Sequence, residues 1–187
     1  MNFVMYQSGQ AIDQSLSESN RVWQDDQHQF VLVEGPTVPF KLKTELNLKT
    51  IEFEDFQWLE LFRIFSEEGL IRDVKFDSDV VTSRTHTFAY HMTYKKPDEL
   101  LKALHKLMFV QSYAIEALFL KMSEPNGVIN FELTSNGELK VSFPASIKND
   151  PSYDMSSVYK TAFHIFEEVA KVLSGSPVEF KELQSIK

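Results

Sequence analysis

Not one cysteine occurs among the 187 residues. Disulfide frameworks, thiol nucleophiles and thiolate-built zinc sites are therefore excluded. Glycine is scarce as well, at six residues, and none of them builds a phosphate-cradling loop or a Gly-x-Ser-x-Gly elbow; the His-Glu-x-x-His and zinc-deaminase signatures are also missing. No segment approaches the ~20 apolar residues of a membrane-spanning helix. The opening stretch, MNFVMYQSGQAIDQSLSESNR, has neither the basic leader nor the apolar run of a secretory signal. An excess of positive charge is absent too. The 19 Lys and Arg against 27 Asp and Glu leave a net charge of −8, which argues against direct nucleic-acid binding or an anionic membrane partner. Together these absences favour a cytoplasmic protein without a cofactor, and a binding or regulatory role over an enzymatic one.

What the chain does have is rings. Sixteen Phe, six Tyr and two Trp stand in a composition that is 43% apolar and 25% charged, which is a globular balance with an aromatic-rich interior. Residues 1–29 are rich in Ser, Gln, Asn and Asp, and read as a polar N-terminal arm with scattered anchors Val4, Ile12, Leu16 and Trp23. Residues 30–187 read as a single α+β domain.

Within that domain, alternation of Phe40, Leu42, Leu46 and Leu48 with charged neighbours predicts a half-buried strand. The segment 51–73 predicts a helix with Trp58, Leu61, Phe62 and Phe65 on one side and a stop at Gly69. Two strands are expected over 71–94, around the DSD at 77–79. From Pro97 a long helix is expected, with a main stripe of Leu100, Leu104, Met108, Ile115, Leu118 and Met122 and with Gln111 inside that stripe. Its second patch, Phe109, Tyr113 and Leu120, is a candidate homodimer contact. The run GVINFELTSNGELKVSFP predicts a hairpin. Only a three-residue loop Ser135–Gly137, with Gly137 left-handed, keeps Ile129, Phe131, Leu133, Leu139, Val141 and Phe143 on one face. A last helix over about 155–174 is ended by Gly175 and Pro177, and a short strand follows. The layout is α+β, an antiparallel sheet with three main helices, in helix–hairpin–helix order through the second half.

The stretch THTFAYHMTY, residues 85–94, holds the nearest thing to a chemical constellation. In a strand its two histidines point to opposite faces, His86 with Phe88 and Tyr90, His91 with the threonines, so they cannot share a metal. The candidate ligand pocket is therefore His86, Phe88 and Tyr90 together with Met108 and Gln111; the polar Gln111 inside an apolar stripe needs a partner.

The segments KKPDELLKALHKLMFVQSYAIEALFL, GVINFEL and VYKTAFHIFEEVAKVLSGSPVEFKEL resemble the N-terminal effector-sensing domain of one branch of AraC-type transcription regulators, over residues 95–182. The DNA-reading half of that family has no counterpart here. The resemblance implies sensing or dimerisation without DNA contact. Two functional expectations follow: a non-enzymatic sensing or regulatory domain that binds a small apolar ligand in a ring-lined pocket and self-associates, or an acidic protein-binding module such as a toxin-neutralising immunity protein.

Overall fold

A computed structural model of the chain describes residues 1–12, 21–35, 37–78, 97–110 and 113–183. Among the described residues, the elements run β1 (Asn2–Gln7), β2 (Val22–Asp25), β3 (Phe30–Glu34), α1 (Phe40–Glu45), β4 (Lys49–Thr50), α2 (Asp55–Glu67) and β5 (Ile71–Ser78). Then come α3 (Pro97–His105), a π-helical turn (Lys106–Val110), β6 (Tyr113–Glu124), β7 (Gly127–Thr134), β8 (Glu138–Ser142), α4 (Ala145–Lys148), α5 (Ser156–Ser174) and β9 (Phe180–Glu182). The fold class is α+β, as expected, and the described strand pairs are antiparallel. The chain forms two compact units. One comprises Met1–Glu52, Asn136–Lys140 and Asp154–Lys187, the other Phe53–Ser135 and Val141–Tyr153.

In the first unit β1 lies between β3 and β8, β3 pairs β2, and β2 pairs the terminal β9; β4 adds to the end of β1. The expected polar arm is thus corrected: residues 2–7 and 22–25 are strands, and Phe3, Val4, Met5, Tyr6, Val22 and Trp23 are buried. Both faces of this sheet are covered, which explains why FVMY and FVLV are continuous apolar runs without alternation. One face carries Phe3 and Trp23 against α5, with Phe3 edge-on to Phe166 at 6.2 Å and Trp23 edge-on to Phe163 at 5.0 Å. The other carries Val4, Tyr6, Val22, Val31 and Val33, packed with Val38, Leu48, Leu42 and Leu46.

The segment expected as a strand around residues 40–48 is instead the helix α1 followed by a turn. Leu42 and Leu46 stand four residues apart, a spacing that serves a helix as well as a strand, and the apolar cluster over the sheet takes the helical option. Phe40, two residues before Leu42 and so about half a turn round the helix from it, is 85% exposed.

In the second unit β5, β6 and β7 form an antiparallel meander, with α2 packed on β5, β6 and α3. The buried residues of α2 are Trp58, Leu61, Phe62 and Phe65, the four read from periodicity. A capping box between Glu54 and Gln57 starts the helix. The long helix expected after Pro97 is corrected: helical backbone ends with Val110 and residues 113–124 are β6. Leu118, Leu120 and Met122 face Leu133, Phe131 and Ile129 across the ladder. Residues 115, 118 and 122 fit a helix while 118, 120 and 122 fit a strand, and pairing on both sides by β5 and β7 decides it.

The connection from β7 to β8 is the three-residue loop Ser135–Gly137, with Gly137 at φ 76°. An added Cβ there would meet Met5 O at 3.0 Å and Ile51 Cβ at 3.1 Å, so glycine is required twice over, by backbone and by space. In the first unit, α5 closes on Gly175 in the left-handed conformation, as a helix C-terminus favours.

Candidate functional site

Of the residues expected to bind a ligand, His86, Phe88, Tyr90 and Gln111 lie outside the described residues, as does His91. Met108 is described and buried at 3% exposure in the π-helical turn of the second unit. The proposed dimer patch is corrected as a surface: Phe109 belongs to the π-helical turn and is 49% exposed, whereas Leu120 is 1% exposed in β6, paired with Ile71 and Phe131. Tyr113 begins that same strand. The three do not share a helix face.

The geometry that can hold a small molecule lies elsewhere, in the first unit. A cleft of about 270 Å³ is lined by Val4, Tyr6, Thr37, Val38, Phe40, Lys43, Thr50 and Asn136. The strand β1 supplies Val4 and Tyr6 on the face opposite α5, and α1 supplies Lys43 one turn after Phe40. Lys43 Nζ stands 4.8 Å from the centre of the Tyr6 ring and donates to Thr50 Oγ1 at 2.9 Å. The ammonium is thus held by a cation–π contact and a neutral hydroxyl, and among the described residues it has no carboxylate partner. The Tyr6 hydroxyl accepts the Val38 backbone N–H at 3.3 Å. Tyr6 is 2% exposed, and its own O–H proton has no acceptor among the described residues. Burial raises the Tyr6 pKa above the ordinary tyrosine value, the Val38 amide opposes the rise, and the charge of Glu138 adds to it. The hydroxyl therefore stays protonated and available as a donor.

A second cleft of about 250 Å³ is bordered by Gln7, Ser8, Gln29, Asn47, Lys49 and Ser174. Its amides and hydroxyls are largely turn groups, such as Ser8, whose hydroxyl donates to Gln10 O at 2.7 Å.

A third polar grouping sits on the α5 face. Arg21 donates from Nε and Nη2 to the two carboxylate oxygens of Glu182, both at 3.0 Å, while its guanidinium lies 5.0 Å from Trp23 and 5.1 Å from Tyr159. Tyr159 donates to Glu34 Oε1 at 2.7 Å, and Glu34 Oε2 stands 3.9 Å from Arg21 Nη1. The hydrogen bonds from Arg21 hold the Glu182 carboxyl below its ordinary value, and burial followed by Glu34 raises Tyr159. Arg21, Glu182, Tyr159 and Glu34 Oε1 answer one another as a structural tie does, while the buried Glu34 Oε2 has no hydrogen-bond partner among the described residues.

Among the described residues no group of three His, Asp or Glu side chains converges as a metal site would require. No described helix is long and apolar enough to cross a membrane. No family model, no curated protein and no solved structure matches the chain.

The cleft's residues were missed in the sequence because Tyr6 sits in what reads as a polar arm and Lys43 in what reads as a strand face. The signal available was the run FVMY, four apolar residues whose length suits a strand buried on both sides.

Proposed function

We propose that the protein is a non-enzymatic small-molecule-binding domain of regulatory type, acting through the cleft beside α1. The observation that carries this reading is the pairing of an ammonium without a carboxylate partner among the described residues with a buried phenolic donor at one cavity. Each has one protein hydrogen bond and donor capacity left over, which an occupant of the cleft can use. The reading keeps the ligand-sensing role suggested by the resemblance of residues 95–182 and moves the site to residues of the first unit. A cytoplasmic setting belongs to it and rests on the missing cysteines. Self-association through Phe109, Tyr113 and Leu120 does not, since Leu120 is core.

The acidic protein-binding alternative draws less support. On the exposed side of α2, Glu60 and Glu67 are both engaged by Arg63, at 2.6 and 2.8 Å, so the acids there are partly neutralised within the helix. Native mass spectrometry of protein purified from its own host tests the proposal. A retained organic molecule, lost on unfolding, is expected. A bare chain that also gives no thermal-shift response to a panel of small acids, alcohols and amines overturns it.

A further inference from the structure

We infer that the cleft beside α1, taken as the binding site just proposed, selects a small monocarboxylate with an apolar, ring-sized body. Size comes first. At about 270 Å³ the cleft falls just below the ~300–1,000 Å³ of drug-sized pockets, which suits a ligand of about one ring.

Charge comes second. Lys43 contributes one ammonium, and its contacts among the described residues, the Thr50 hydroxyl and the Tyr6 ring, leave it donors to spare. One cation in a chain of net charge −8 suits one negative charge and disfavours two. The carboxylate felt at Tyr6 is Glu138, and it is already engaged by Lys140 at 3.7 Å and Asn2 at 3.4 Å.

Donor pattern comes third. The buried Tyr6 hydroxyl accepts from Val38 and so has its proton to give. Beside Lys43 this makes two donors and calls for an acceptor with two oxygens, which a carboxylate supplies. The remaining lining mixes Val4, Val38 and the ring of Phe40, 85% exposed, with the polar Thr37, Thr50 and Asn136; an apolar body gains contact on the first three, where Phe40 loses exposure to water.

Isothermal titration of the full chain with benzoate and with its neutral isostere benzamide tests the inference, beside the variants Lys43→Gln and Lys49→Gln. Lys49 borders the other cleft and serves as the charge control. Benzoate is expected to bind wild type at least about tenfold more tightly than benzamide, as hydrogen bonds to a charged group allow. Lys43→Gln, with an unchanged circular dichroism spectrum, should abolish that preference; Lys49→Gln should keep it. Equal binding of benzoate and benzamide to wild type overturns the charge selection and leaves the cleft as a binding site. An equal loss in both lysine variants overturns the role of Lys43 in favour of a general charge effect. If neither probe binds while a neutral or cationic compound from the thermal-shift panel does, the ligand class is wrong; if nothing binds, the functional reading falls with it.

Discussion

The two faces of the first unit's sheet use the same strands and reach opposite ends. On the α5 face, rings interlock edge to face, and Arg21, Glu182, Tyr159 and Glu34 pair with one another, with Glu34 Oε2 left without a hydrogen-bond partner among the described residues. On the α1 face, a six-residue helix covers an aliphatic cluster and leaves a cleft with a cation and a hydroxyl still able to donate. A long amphipathic helix can fill a sheet face, whereas a short one leaves its margin uncovered. The first face holds the unit together, and the second is where a ligand can be taken up without dismantling the core.

The largest expected effect tests that division directly. Phe166 is fully buried on α5 against Phe3, and Phe166→Ala should cost about 3–5 kcal/mol in urea unfolding. Leu46 on the α1 face is only partly buried, so Leu46→Ala should fall below the ~2 kcal/mol at which buried leucine deletions begin. Equal costs would mean that the two faces are packed alike, and the comparison would fail.

A substitution that belongs to neither face calibrates the scale. Gly137→Ala places a side chain at φ 76° and within 3.0 Å of the Met5 carbonyl. A loss of about 1–3 kcal/mol is expected from the left-handed backbone alone, with any excess reporting how little β1 can yield. Denaturation that leaves the midpoint unchanged would show that the loop relaxes freely.

How much of this was legible follows from period and burial. The faces of α2 and α5 could be read because each has a stripe that fits 3.6: Trp58, Leu61, Phe62 and Phe65 in one, and Val158, Ala162, Ile165, Phe166 and Val169 in the other, where Leu173, read into the same stripe, is only partly buried and Ala170 is buried in addition. The hairpin loop could be read because one register alone gathers its apolar residues. The helix α1 and strand β6 could not, because Leu42 and Leu46, or Leu118 and Met122, satisfy both repeats and only neighbours distant in sequence choose between them. The cleft was illegible for a further reason. It joins Tyr6 to Lys43 and Thr50 through a β1–β4 pairing that no local pattern announces.

The smallest expected effect separates a closed ion pair from an open cation. Arg21 and Glu182 are each about half exposed, at 50% and 48%, so their bridge should contribute at most ~1 kcal/mol. The Glu182 carboxyl is held below its ordinary value of 4.5, chiefly by hydrogen bonds from Arg21. A depressed folded-state pKa gives stability that is present above the unfolded value and lost as pH falls through the folded one. Glu167 has the opposite sign: burial raises its pKa, so its contribution is present below the ordinary value and lost as pH rises through the raised one. Acid unfolding of the wild type therefore mixes the two, and the difference between wild type and Glu182→Gln isolates the bridge. That difference should be present at neutral pH, begin to shrink as pH falls through 4.5 and vanish only below the depressed folded-state pKa. Lys43→Gln should produce no such pH-dependent difference, because among the described residues its ammonium meets a hydroxyl and a ring and no titrating carboxylate. A matching acid limb in the Lys43 variant would mean that the cation has an anionic partner within the fold, and the contrast between the two faces would no longer hold.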